Sequence, residues 1–250
     1  MAIPKIIHQT FPDKGRRHPD LEENIKKLKA QNPGWDHRFY DDADVRSFIQ
    51  KNYSSNVLRY FDQINPHYGP AQADFFRYLL MYKYGGVYLD IKSTVTKPLD
   101  AIVKPADVYL LSHWRNKPGE RYSGWGLNAE CSVIPNGEFQ QWHIVAAPRH
   151  PFLKAAILNV MWNIDHYDPK TVGVGKIGVL RVTGPIAYTL AIWPILQTFH
   201  HRMVDSLGEG FQYSIFEKPN ASSANDKLAH EKLFHNHYNK MDVLEPIVLT

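Results

Sequence analysis

Residues 70–93 read PAQADFFRYLLMYKYGGVYLDIKS, and the fold turns on how they are parsed. Ala71, Phe75, Tyr78 or Leu79, and Tyr82 recur at three- and four-residue spacing, the period of a helix with a buried face. Pro70 suits the first helical turn, where its missing N–H removes no hydrogen bond. Gly85-Gly86 ends the helix, because glycine adopts the left-handed backbone that a C-cap needs. Val87-Tyr88-Leu89 is short, apolar and β-prone, as a covered strand should be. Asp90 then falls where that strand emerges. In open α/β sheets, ligands bind beyond the carboxyl ends of strands, so a carboxylate there is a site candidate.

Before this block, residues 3–10 (IPKIIHQT) read as a first strand that ends in His8, Gln9 and Thr10. If that strand runs parallel to the one ending at Asp90, these polar residues share its edge; the alternative is the start of a surface loop. Residues 20–31 predict an amphipathic helix on Leu21, Ile25 and Leu28, with Asp20 as N-cap. Asn32-Pro33-Gly34 breaks it, Trp35 to Tyr40 follows as a strand, and residues 41–53 give a second helix. The acids at 41–44 match the positive end of that helix better than they match a metal site.

After the block, residues 106–111 predict a strand and residues 112–127 a long polar and aromatic loop. Loops of that length tend to be functional. Trp114 and Trp125 could offer flat faces to a sugar or could pin the loop to the body. Residues 128–134 read as a strand and 151–162 as a helix. Residues 168–180, with three glycines, read as a mobile connection, and a helix runs from 183 to about 199. His235 and His237 share one face of an extended segment and are compatible with a metal.

The chain has 250 residues, 44% hydrophobic and 22% charged, which fits an α/β domain spanning 1–250. A net charge of +4, scattered rather than striped, argues against a nucleic-acid partner. The single cysteine, Cys131, excludes an internal disulfide and suits a reducing compartment; with no recognisable leader, a cytoplasmic location is expected. No transmembrane helix is expected either, since the apolar run near Ile186–Leu196 is short and holds Pro194.

The pieces IPKIIHQTF (3–11), NPGW (32–35), AQADFFRYLLMYKYGGVYLDIKS (71–93), AAPRHPFL (146–153) and TGP (183–185) together resemble glycosyltransferase family 32. That family carries a sugar-binding region with a DxD motif and includes α-1,6-mannosyltransferases and capsular polysaccharide enzymes. The central block also resembles the glucosylating bacterial toxins. The resemblance implies a GT-A fold, a Rossmann-like α/β arrangement with a mixed central sheet flanked by helices. It implies a retaining hexosyltransferase that takes a UDP- or GDP-sugar as donor and a glycan hydroxyl as acceptor, as in polysaccharide biosynthesis. Carried over, His8, Gln9 and Thr10 would lie beside the nucleotide, and Asp74 and Arg77 would hold the donor. Asp90 would be the first aspartate of DxD, and Tyr84 would shape the pocket.

The second aspartate of that motif is Lys92 here. Either Lys92 binds the diphosphate in place of a metal, or Mn²⁺ or Mg²⁺ still binds through Asp90 with His235 or His237. A third reading turns Lys92 away from the site. For the acceptor side the candidates are Trp114, Trp125 and Glu130, the last equally readable as a structural acid. The rival reading from another class is an inactive nucleotide-sugar or glycan-binding domain, supported by Lys92 alone.

Overall fold

A computed structural model of the chain describes residues 2–13, 15, 18–217 and 245–249. In chain order its first elements are β1 (Ile6–Thr10), α1 (Pro19–Gln31), β2 (Asp36–Tyr40), α2 (Asp42–Asn52), α3 (Ser55–Gln63), α4 (Gly69–Tyr84) and β3 (Gly86–Leu89). There follow β4 (Thr94–Val95), α5 (Leu99–Ile102), β5 (Tyr109–Leu111), β6 (His143–Ala146), α6 (Pro151–Asp165), α7 (Gly175–Val182) and α8 (Pro185–Ile192). The last are β7 (Arg202–Met203), α9 (Ser206–Glu209) and β8 (Phe211–Gln212), with short 3-10 turns at Ala129–Cys131 and Trp193–Thr198.

Six strands form a mixed sheet in the order β2-β1-β3-β6-β5-β7, and β4 pairs with β8 in a separate ribbon. β1 lies parallel between β2 and β3, with His8 opposite Tyr88. β3 and β6 pair antiparallel, Leu89 opposite His143. The pleat divides the strands between two cores, because successive side chains point to opposite faces. Tyr88, Ile144 and Ala146 join α4, α6 and α8 on one face; Val87, Leu89 and Val145 join Leu28, Trp35, Leu99 and Phe211 on the other.

The central helix is buried on nearly every side, from Ala71 through Asp74 and Arg77 to Met81. Gly85 and Gly86, at φ 64° and 100°, turn it straight into β3. No other residue fits there. A Cβ on Gly85 would lie 2.6 Å from the Pro148 nitrogen, and one on Gly86 2.6 Å from the Ile6 carbonyl oxygen. The acids of α2 form a capping box: Asp44 N–H donates to Asp41 Oδ1 at 2.9 Å and Asp41 N–H to Asp44 Oδ2 at 3.2 Å.

Several expectations need correction. Residues 128–134 are not a strand: Cys131 N–H bonds the Asn128 carbonyl and Ile134 N–H the Cys131 carbonyl, a tight turn that buries Cys131 and Ile134 against Ile186. The strand beside β3 is instead His143–Ala146, which the reading left unassigned, and helix α3 was also unforeseen. His18, not Asp20, caps α1, because Pro19 takes the first helical position. The glycine-containing 168–180 stretch holds most of α7; Gly178 lets that helix press on the Gly173 carbonyl, 2.7 Å from where a Cβ would sit. By length and composition alone Gly175–Thr198 is long and apolar enough to cross a membrane, which neither bears out nor overturns the expectation of no transmembrane helix. Here it is broken into α7, α8 and a 3-10 turn, and 56% of its most apolar window is buried inside the fold.

Candidate functional site

The site grows from the register of β3. Residues 88 and 90 share the face that α4 covers, so one side chain of α4 can meet both. That side chain is Arg77. Its Nη1 lies 3.2 Å from Asp90 Oδ1 and its Nη2 3.0 Å from Asp74 Oδ1, while its guanidinium carbon sits 4.8 Å from the Tyr88 ring centre. Nη1 also donates to the Gln141 carbonyl at 3.0 Å. Asp74 accepts further bonds from Gln141 Nε2 at 3.0 Å and Thr183 Oγ1 at 3.3 Å, so both of its oxygens are engaged within the protein. Asp90 is the more accessible carboxylate, with 24% of its side chain exposed against 7% for Asp74.

Burial pushes the Asp74 carboxyl up to about 6, with Arg77 and the Gln141 bond pulling the other way. Burial also works against the charge on Arg77, but Tyr88, Asp90 and Asp74 more than restore it, so the guanidinium stays protonated. The pair is therefore ionised at neutral pH, as three donors converging on Asp74 require.

Beyond Asp90 the chain turns, Ser93 N–H bonding the Asp90 carbonyl. The β4–β8 pairing then brings Tyr213 alongside. Lys92 Nζ donates to the Tyr213 hydroxyl at 2.7 Å and lies 4.0 Å from its ring centre. Ser93 Oγ donates to the Tyr213 carbonyl. Burial lowers Lys92 to about 8, opposed by Asp90 and Glu217. Tyr213 belongs to an aromatic wall with Trp114, Tyr122, Trp125 and Trp142; Trp114 and Trp125 lie 5.1 Å apart, and Trp142 is 5.5 Å from Tyr213. Glu138 braces the wall, accepting from Trp114 Nε1 at 3.1 Å and from Asn128 Nδ2 at 2.5 Å. Burial raises its carboxyl to about 7.

The remaining sequence candidates fall in different places. His8 is sealed in the core: its Nε2–H donates to the Gly85 carbonyl at 3.0 Å and its Nδ1 accepts from the Tyr40 hydroxyl at 3.2 Å. Burial lowers it to about 3, so the ring is neutral. Tyr84 stacks on that ring, 6.3 Å between centres, on the core side of β1 rather than beside Asp90. Gln9 does reach the site, its Nε2 3.4 Å from the Asp90 carbonyl and its Oε1 bonded to His37. Thr10 Oγ1 donates to the Tyr40 carbonyl. Trp114 is buried in the aromatic wall, whereas Trp125 is only half-buried. Glu130 is paired with Arg181 at 2.5 Å, far in function from a free acid. His235 and His237 lie outside the described residues. Gln141, Trp142 and Tyr213 were not foreseen; they reach the site through pairings with residues far off in sequence, up to 121 positions for Tyr213 and Lys92.

Among the described residues, the donors around Asp90 do not fit a divalent cation. Hard cations take several oxygen ligands, and among the described residues no group of three His, Cys, Asp or Glu side chains is placed to hold one. Asp74 is fully occupied, Asp90 is shared with Arg77, and an ammonium stands at the second acid position. A separate open recess on α3, lined by Ser55, Leu58, Arg59, Asp62, Gln63 and Leu249, contains none of these residues.

Comparison with known proteins gives the chain's relatives. Residues 19–109 match the family described as the glycosyltransferase sugar-binding region containing a DXD motif. Inositol phosphoceramide mannosyltransferase 3 of Schizosaccharomyces pombe is 27% identical over 91% of this chain and 57% of its own length. The initiation-specific alpha-1,6-mannosyltransferase of the same organism is 25% identical over 78% of this chain and 49% of its own length. The chain thus spans about half the length of the curated relatives it matches. Among solved structures, the PaToxG glycosyltransferase superposes with a TM-score of 0.56 at 17% identity, covering 79% of this chain and 72% of that one, and shows that the fold is GT-A.

The cytoplasmic placement is corrected by the same comparisons. Relatives covering most of this chain are named for inositol phosphoceramide, a lipid, and the chain carries the apolar Gly175–Thr198 stretch. A lone cysteine limits disulfides within a chain; it does not fix a compartment. Over residues 19–109, which hold α4, β3 and Asp90, the chain is similar to the glycosyltransferase sugar-binding region containing a DXD motif.

Proposed function

We propose that this protein transfers a hexose from a nucleoside diphosphate sugar to a glycan hydroxyl, with retention of configuration. The observation that carries the reading is the Asp74–Arg77–Asp90 chain at the carboxyl end of β3, where a GT-A sheet receives its donor. Mannose is the first sugar to test, because the relatives named above are mannosyltransferases.

In this reading Asp90, partly open to solvent, takes hydroxyls of the donor. Arg77, fixed by Asp74 and the Gln141 carbonyl, faces the negative charge that grows on the leaving diphosphate. Its guanidinium is already oriented, so little reorganisation accompanies the reaction, which is where such groups gain their effect. Asp74 is then a positioning residue: it holds Arg77 rather than touching sugar. The acceptor hydroxyl attacks from the face the diphosphate leaves, and a departing phosphate oxygen takes its proton. Trp125 offers a partly open ring for an acceptor sugar to stack on.

A hydrolysis screen of UDP- and GDP-sugars, repeated with and without chelator, tests the reading. Release of free sugar from at least one donor, lost in Asp90→Asn, supports it. Nucleotide-sugar binding with no hydrolysis and no transfer to any oligosaccharide or glycolipid acceptor would favour the rival, a binding domain that has lost its chemistry.

A further inference from the structure

Lys92 is a buried ammonium whose nearest partner is neutral. Among the described residues it forms no ion pair; its partner is the neutral Tyr213 hydroxyl, 2.7 Å from Nζ. Asp90 and Glu217 act on it only from beyond ion-pair reach, and Glu217 is bound to Arg121 and Tyr122. A buried charge left unpaired is costly, which marks a place for an anion.

A second, independent feature lies on the same wall. Trp142 Nε1 is a buried donor with no hydrogen-bond partner, one of two such side-chain atoms among the described residues. The Trp142 carbonyl accepts the Asp90 N–H at 2.8 Å, the preceding Gln141 carbonyl accepts from Arg77, and the Trp142 ring packs on Tyr213. The segment that frames Asp90 therefore carries an indole N–H in need of an acceptor, on a ring that packs against the same Tyr213 on which Lys92 is seated.

Charge balance bears on the metal. Asp74, Arg77, Asp90 and Lys92 are two acids and two cations, neutral together. An aspartate at position 92, as the DXD pattern asks, would leave the group more negative by two charges, which is what one divalent ion contributes.

We propose that Lys92, seated on Tyr213, and the Trp142 indole N–H form a diphosphate-binding subsite that does the work of the absent metal ligand. This rests on the nucleotide-sugar reading above. Phosphoryl oxygens take the ammonium as a point charge and the indole N–H as a directed donor.

The test is calorimetric titration of metal-stripped protein with GDP and with UDP, in EDTA and again in Mn²⁺. The better-binding nucleotide is expected to show the same Kd within threefold in both. Lys92→Met should weaken it at least tenfold, and Trp142→Phe, which keeps an aromatic ring and removes the N–H, about fivefold. Lys92→Asp should bind only with Mn²⁺. A tenfold or greater tightening of the unaltered protein by Mn²⁺ would overturn the subsite while leaving the nucleotide-sugar reading intact. So would wild-type affinity in Lys92→Met. Failure of both nucleotides to bind in either buffer would remove both readings together. The comparison of buffers needs no variant, so it stands whether or not a substituted protein folds.

Discussion

Arg77 Nη1 lies 3.2 Å from Asp90 Oδ1, a contact that ties the middle of α4 to the residue leaving β3. The same guanidinium holds Asp74 one turn back on its own helix. Removing it would strand a buried carboxylate. Arg77→Met is expected to cost about 3–5 kcal/mol of stability, the range for breaking one side of a buried pair. Arg77→Lys should fold better but lose the forked contact to Asp74, Asp90 and the Gln141 carbonyl at once, and with it donor hydrolysis. Urea unfolding and the hydrolysis assay separate the two effects; an active, stable Arg77→Met protein would refute both.

Asp90→Asn is the cleaner probe of chemistry. The side chain is partly exposed, the amide is isosteric, and the Asp90 N–H bond to Trp142 is untouched. Stability should move by no more than about 1 kcal/mol, while turnover should fall by about a hundredfold or more, as when an oriented charge is lost from a site. Equal turnover in the variant would dismiss Asp90 from the reaction.

The helix, the two-glycine turn, the strand and Asp90 were legible because each rests on local chemistry: period, capping and the φ that only glycine takes easily. Asp74 and Arg77 were legible as one helical face. What could not be read is who faces them. Gln141 meets Asp74 across 67 residues and Tyr213 meets Lys92 across 121, pairings set by sheet order rather than by any local pattern. The same blindness misplaced His8. Its strand register was anticipated, but a period-2 strand sends neighbours to opposite faces, so Gln9 reaches Asp90 while His8 turns into the core. Asn128–Ile134 misled for a different reason: a β-prone composition was overridden by turn bonds three residues apart.

Gln141 tests whether the unforeseen shell matters. Its amide donates to Asp74 and its Oε1 accepts from Tyr78, so both ends are used inside the fold. Gln141→Leu keeps the volume but leaves Asp74 one donor short, while the Tyr78 hydroxyl keeps its 2.9 Å bond to the Thr183 carbonyl. A loss of about 1–3 kcal/mol is expected from unsatisfied buried groups. Asp74 should also become harder to ionise, so the acid limb of hydrolysis against pH should move upward from about 6. An unmoved acid limb would mean that Asp74 does not govern activity.

Gly86 fixes the close approach of β3 to β1. At φ 100° a side chain is strained, and its Cβ would lie 2.6 Å from the Ile6 carbonyl oxygen, a backbone atom with little room to yield. Gly86→Ala should therefore lose about 2 kcal/mol or more, from strain and displaced strand pairing together. Chemical denaturation reads this directly. A change below about 0.5 kcal/mol, ordinary for a surface substitution, would show that β3 shifts freely and that the position of Asp90 is not rigidly set.

His143 gives the pH test of the core beneath the site. Burial alone lowers it from 6.5 to about 3, and its Nδ1 has no hydrogen-bond partner. The folded protein thus keeps the ring neutral where the unfolded chain protonates it. Its contribution to stability is fully present above pH 6.5 and is lost progressively as pH falls toward 3. One such proton corresponds to a slope of about 1.4 kcal/mol per pH unit. Asp74 and Glu138, both raised by burial, act in the opposite sense over neighbouring pH, so the raw profile mixes several groups. The difference between wild type and His143→Phe isolates one of them. Stability measured at pH 6, 5 and 4 should fall less steeply in the variant, by about one proton's slope. Parallel profiles would mean that His143 is protonated in the folded state and that its pocket admits water.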